Sequence, residues 1–190
     1  MKIAVLGWGS LIWDQRDLIL ADNIWHENGP ELPIEFARVS QGGRLTLVIK
    51  PSWEEVKVMY ATSKFQDLES AIENLKSREG TKIERIGFYN FVSAEKNLRS
   101  ANESIISNLI SWNTRPGFDA VIWTDLPPNF KEKQKLPYNL ENISGFLSGL
   151  SDEEFASAEE YIFKTPPQIY TKFRKKIVSI LGQIKEERTR

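Results

Sequence analysis

Cysteine is absent from this 190-residue chain, histidine occurs once and methionine twice. Without cysteine there can be no disulfide, no thiolate metal site and no cysteine nucleophile. The single histidine, His26, follows Trp25 in an expected loop, and no Asp, Glu or second His stands at a recognisable metal-ligand spacing from it. A serine hydrolase would have only His26 as its base, and the Gly-x-Ser-x-Gly elbow is missing around Ser10. Excess charge is missing too. Lys and Arg total 25 against 26 Asp and Glu, a formal net charge of −1, which argues against nucleic acid or an anionic membrane as main partner. No apolar run approaches the ~20 residues of a membrane span. Residues 1–6 are apolar but too short for a signal segment, and Gly7 interrupts them. The expectation is a cytoplasmic globular protein.

What is present suffices for a core. Apolar residues make up 41% of the chain and aromatics 11%, with charged residues at an ordinary 27%. The length favours one domain over residues 1–190, with 185–190 as a solvated tail.

The pattern along the chain is mixed. Residues 2–6 form a buried first strand stopped by Gly7, Trp8 and Gly9, and residues 11–21 are compatible with a short helical turn. Residues 35–39 and 44–49 flank Gln41, Gly42 and Gly43, which predicts a hairpin whose glycines take positive φ. Alternation over 55–61 predicts a half-buried strand. An apolar stripe at Phe65, Leu68, Ala71, Ile72 and Leu75 predicts a helix over 64–77. Strands are expected at 83–93 and 118–125, and helices at 102–113, 140–150 and 168–187. Ser151 and Glu154 form a capping box opening another helix, which Pro166 and Pro167 end. Strands and helices without regular βαβ alternation indicate an α+β fold.

A strand running into Gly7, Trp8, Gly9, Ser10, Leu11 and Ile12 begins like a dinucleotide-binding turn. The third glycine would fall at Ile12, however, and residues 24–30 offer no acidic strand end for a ribose.

Trp8, Gly9, Ser10 and Leu11 at the end of the first strand resemble instead the Tyr-Gly-Ser-Leu/Asn signature of the γ-glutamylcyclotransferase-like family. A second match lies far along the chain, at Leu75, Lys76, Ser77, Arg78, Glu79 and Gly80, in the order Arg-Glu-Gly after a helix. Gly42, Gly43, Arg44 and Leu45 resemble part of the family's second hairpin. The resemblance covers roughly residues 1–95. It implies a small mixed or antiparallel β-barrel with flanking helices, here with a helical last third. It also implies a substrate-binding loop of Gly7, Trp8, Gly9, Ser10 and Leu11, with Glu79 as the acid/base. Backbone N–H groups in a glycine loop suit a substrate carboxylate, and Ser10 adds a hydroxyl.

The implied reaction is intramolecular. The α-amine of a γ-glutamyl substrate attacks its own γ-carbonyl, giving 5-oxoproline and a released amine. A tethered nucleophile needs mainly a bent conformer, so no covalent protein nucleophile, cofactor or metal is called for. One carboxylate can move the proton, and its partial burial beside the 7–11 loop would help. Trp8 departs from the signature, since an indole only donates where the family's phenol also accepts. The alternative is a non-catalytic module binding the same small molecules. Trp8 and Trp13 are expected near the site; Arg38 or Arg78 can meet a carboxylate, and Tyr89 and Tyr170 can supply polar walls. Self-association through the last helix is compatible with the pattern, which leaves the oligomeric state open.

Overall fold

The computed structural model describes residues 1–99 and 103–189. It is an α+β protein built on a five-stranded sheet, with six α-helices among the described residues. Inside it lies β1 (Ile3–Gly7), paired antiparallel with the edge strand β6 (Met59–Thr62) and parallel with the central strand β9 (Ala120–Thr124). Beyond β9 come β7 (Ile86–Asn90) and the two-residue β8 (Lys96–Asn97), both antiparallel.

The period of two in β1 and β9 divides their side chains between two cores. Ile3, Val5, Ala120 and Ile122 face α1 (Leu68–Glu79), against Ala71, Ile72 and Leu75. Ala4, Leu6, Val121 and Trp123 face the larger core on the other side. A strand covered on both faces has to be apolar throughout, and all five residues of β1 are buried.

The other strands form two short separate ladders: β2 (Glu31–Leu32) with β5 (Val56–Lys57), and β3 (Ile34–Val39) with β4 (Leu45–Ile49). Between β3 and β4 a 3₁₀ turn over Gln41–Gly43 carries Gly42 at φ 66° and Gly43 at φ 68°, as expected of this hairpin. The closed barrel implied by the resemblance is not found among the described residues. Closure needs a continuous ladder. Here β3 and β4 pair only with each other, and the outer edge of β6 meets isolated bridges from Leu20 and His26.

Helices follow their caps. Asp67 accepts from the Ser70 N–H at 2.8 Å and starts α1 later than its apolar stripe suggests. Gly80, at φ 57°, ends it, with the Thr81 N–H returning to the Lys76 carbonyl at 3.3 Å. Next come α2 (Glu103–Asn113), α3 (Phe130–Gln134), α4 (Leu140–Ser148), α5 (Asp152–Lys164) and α6 (Arg174–Arg188). The capping box opening α5 is present, Ser151 and Glu154 bonding reciprocally.

Several expectations are corrected. The strand over 55–61 is split between β5 and β6, whereas residues 11–21 hold only turns, one of them closed by the i to i+4 bond from Asp14 N–H to Ser10 O. The expected position 102 lies outside the described residues. Residues 168–173 are not helical; there Ile169 and Phe173 pack into the core from an irregular segment. Of the solvated tail expected over 185–190, residues 185–188 form the last turn of α6, with 185–187 exposed, and residue 190 lies outside the described residues. Lys185 pairs with Glu159 at 2.9 Å, and Arg188 pairs with Asp152 at 2.7 Å with its guanidinium over the Phe155 ring. Among the described residues no helix is long and apolar enough to cross a membrane.

Candidate functional site

Four element ends meet at one edge of the main sheet. Because β1 and β9 are parallel, Gly7 and Thr124 finish on the same side, and antiparallel β7 begins there, next to Arg85. The C-terminal end of α1 arrives at the same edge with Arg78 and Glu79. Across from it stands the β3–β4 hairpin, where Arg38 pairs with Thr46. Between them lies a cavity of about 350 Å³, closed on one side by Tyr161 of α5. Gly7, Trp8, Gly9, Ser10 and Leu11 line it together with Glu79.

After Gly9 the chain makes tight turns, Ile12 N–H to Gly9 O at 3.0 Å and Asp14 N–H to Ser10 O at 2.8 Å. These use the carbonyls of the loop. Among the described residues, the N–H groups of Trp8, Gly9, Ser10 and Leu11 donate to no protein acceptor. Trp8 is buried, and its Nε1 donates to the Leu47 carbonyl at 3.3 Å. The Leu47 N–H in turn donates to Tyr161 Oη at 3.4 Å. Gly9 lies so close to Tyr161 that a Cβ there would collide with the hydroxyl. Burial pushes the Tyr161 phenol up to about 12, and the Glu79 charge adds to the effect against Arg44 and Arg78. The phenol therefore stays protonated near neutrality and can donate.

The Glu79 side chain is 16% exposed, and its Oε1 accepts from Arg78 Nη1 at 2.5 Å. Arg78 itself is buried and also donates to the Asp14 carbonyl, which ties the end of α1 to the turn after the glycine loop. Glu79 is thus part-buried beside the 7–11 loop, with Oε2 free of any protein donor among the described residues.

The lining is rich in arginine. Besides Arg78 it contains Arg16, Arg38, Arg44 and Arg85, against Glu79 as its one carboxylate among the described residues. Arg16 pairs with Asp14 at 3.0 Å. Arg38 donates to the Pro127 carbonyl at 2.8 Å, and its guanidinium is held below its ordinary range by burial and by Arg85. Four buried polar atoms of the lining have no protein partner: Arg44 Nε, Arg78 Nε, Thr81 Oγ1 and Thr124 Oγ1. Buried polar groups are normally satisfied, so unpaired ones grouped on one cavity suit a polar ligand.

Arg38 and Arg78 both line the cavity, and Trp13 packs edge-on against Tyr161 with ring centroids 5.4 Å apart. Tyr89 and Tyr170 do not join them. Tyr89 is buried against Phe91, whereas Tyr170 is 61% exposed. His26 stacks on Tyr60 away from the site. Tyr161, Arg44 and Arg85 escaped sequence reasoning. Tyr161 continues the stripe of Phe155, Ala158 and Ile162, so it has the signature of plain core. Arg44 stood inside the Gly42, Gly43, Arg44, Leu45 match, which was the one available signal. Among the described residues, no group of three His, Asp or Glu side chains could hold a metal ion. Comparison with known protein families, with curated proteins and with solved structures returns no match.

Proposed function

We propose that the chain is a γ-glutamyl cyclotransferase-type enzyme on a γ-glutamylcyclotransferase-like variant of the α+β fold. The observation that carries the reading is that Glu79 and residues 7–11 line one cavity although far apart in sequence. At about 350 Å³ that cavity falls within the usual size of small-molecule sites.

The reaction distributes over these residues as follows. The free N–H groups of residues 8–11 and the Ser10 hydroxyl hold the α-carboxylate of the γ-glutamyl group, which bends the substrate so that its α-nitrogen approaches the γ-carbonyl. Glu79 takes a proton from the α-ammonium through Oε2. The freed amine then forms the new C–N bond, and the carbonyl oxygen becomes an oxyanion. The protonated phenol of Tyr161 is the donor for that charge, restoring at this loop the hydroxyl that Trp8 lacks. Glu79 returns this proton to the departing nitrogen as the old C–N bond breaks, then takes the second proton from the new ring nitrogen, which becomes the lactam N–H, and passes it to the released amine, leaving 5-oxoproline and an ammonium product. A carboxylate positioned in this way contributes about 10²–10⁴-fold.

The test is Glu79→Gln beside the wild type on a panel of γ-glutamyl peptides and amines, scoring 5-oxoproline. Loss of about 10²-fold or more in kcat with unchanged unfolding supports the reading. Turnover equal to wild type would refute the role of Glu79. One observation favours a second reading, a non-catalytic binding module: Glu79 Oε1 is already engaged by the Arg78 guanidinium at 2.5 Å, an ion pair that a purely structural carboxylate would make as well. On that reading panel members protect the fold against heat and none is converted.

A further inference from the structure

The cavity holds more positive charge than a γ-glutamyl group can answer. Arg78 is matched by Glu79 and Arg16 by Asp14, which leaves Arg38, Arg44 and Arg85 on the lining with no carboxylate partner among the described residues. Residues 100–102 are Ser, Ala and Asn, so no acidic side chain is contributed there. Asp125 follows Thr124 on β9, but it is buried, accepts from the Arg99 N–H at 2.6 Å and does not line the cavity. A γ-glutamyl group brings one carboxylate, and its ammonium cancels that charge.

Arg38 and Arg85 are the informative pair. One comes from β3 and the other from the 3₁₀ turn Ile83–Arg85 just before β7, so elements distant in sequence put two guanidiniums on one cavity lining. They are close enough for Arg85 to disfavour the charge on Arg38. Two part-buried cations without a counter-charge cost stability unless an anion joins them. Arg44 Nε and Thr124 Oγ1, both buried and unpaired, add donors on the same lining.

We infer that the cavity binds a dianionic group, a phosphate monoester or a pair of carboxylates, between Arg38 and Arg85 with help from Arg44. Guanidinium is the cation suited to this, because its planar fork meets phosphate or carboxylate oxygens two at a time. That the dianion belongs to the released amine rests on the cyclotransferase reading; the binding site itself does not.

The experiment separates the two. Binding is measured by calorimetry on Glu79→Gln, which needs no turnover. The ligands are γ-glutamyl derivatives of phosphoethanolamine, of aspartate and of ethanolamine, with inorganic phosphate, glutarate and acetate as fragments. A dianionic ligand is expected to bind about tenfold or more tighter than its uncharged counterpart, the phosphate and dicarboxylate arms showing which source fits. Arg85→Gln and Arg38→Gln should each remove about fivefold or more of that preference and leave γ-glutamylethanolamine within about twofold. Raising salt from about 50 to about 500 mM should shrink the preference as well. Arg85 donates its side chain to no protein group among the described residues, so Arg85→Gln decides the matter even if Arg38→Gln, which loses the Pro127 bond, fails to fold. Equal affinity for charged and uncharged ligands, or a preference that survives in Arg85→Gln, overturns the inference. Arg-dependent dianion binding without any 5-oxoproline from wild type upholds the site and removes the reaction. Turnover that ignores the charge of the leaving amine does the reverse.

Discussion

Gly9→Ala tests the contact on which the glycine loop depends. A Cβ at position 9 would lie well inside contact distance of Tyr161 Oη, with Cζ of the same ring next at 3.3 Å. Tyr161 cannot easily retreat. It is 7% exposed, packed edge-on by Trp13 and Phe36, and its oxygen holds the Leu47 N–H at 3.4 Å. Gly9 has no positive φ, so the penalty is one of space rather than backbone strain. Overpacking of this kind costs about 1–3 kcal/mol. For a chain of this size that lowers Tm by roughly 2–12 °C. Tyr161→Phe alone should cost about 1 kcal/mol, because the Leu47 N–H loses a long bond. The double variant loses the clashing oxygen. It should therefore be more stable than the sum of the single effects predicts, by about 1–2 kcal/mol. Urea unfolding of the four proteins, followed by circular dichroism, reads the coupling directly. Effects that add to within about 0.5 kcal/mol would show that Gly9 and Tyr161 do not meet as described.

Two further outcomes follow from one buried and one part-buried charge. Glu35 is buried and accepts from Thr171 Oγ1, Phe36 N and Phe173 N, yet burial outweighs these bonds and raises its pKa above the ordinary 4.5. A folded pKa above the unfolded one means the contribution to stability is present below pH 4.5 and lost as pH rises through the raised value. Wild type should thus lose stability relative to Glu35→Gln between pH 4.5 and neutrality, measured by urea unfolding at several pH values; a gap that moves the other way contradicts this. Arg174 donates to the carbonyls of Pro166, Ile169 and Thr165, capping the end of α5 and the irregular segment after it. Arg174→Met should cost about 2–4 kcal/mol, since several bonds from a charged donor go at once. A thermal scan showing no loss would refute that role.

Much of the fold was legible because local rules decide it. β1 is apolar at every position because it is covered on both faces, and the Gln41, Gly42, Gly43 turn and the Ser151–Glu154 box are local chemistry. What was not legible depends on partners distant in sequence. Nothing in the β3 or β4 pattern says that this hairpin stays apart from the main sheet. The late start of α6 reflects Arg174 tying down the carbonyls before it, a tertiary arrangement hidden behind a helical-looking stripe. In the candidate site, residues 7–11 and Glu79 were found by motif, and Arg38 by its chemistry. Tyr161 was not found, since a phenol on an apolar helical stripe announces packing, and only the fold turns it toward Gly9.

That Tyr161 closes the cavity has a consequence for the order of folding. The Leu47–Tyr161 bond spans 114 residues, and β1 reaches its parallel partner through contacts as distant as Lys2 to Asp119, 117 residues on. Synthesis from the N-terminus therefore exposes the glycine loop, Glu79 and the arginines long before α5 can cover them. Closing the site joins residues more than 100 apart, so that step bears the entropy of a long loop and comes after the local contacts. A ligand that bridges Arg38 and Arg85 would then do double duty, screening like charges while the last helices dock.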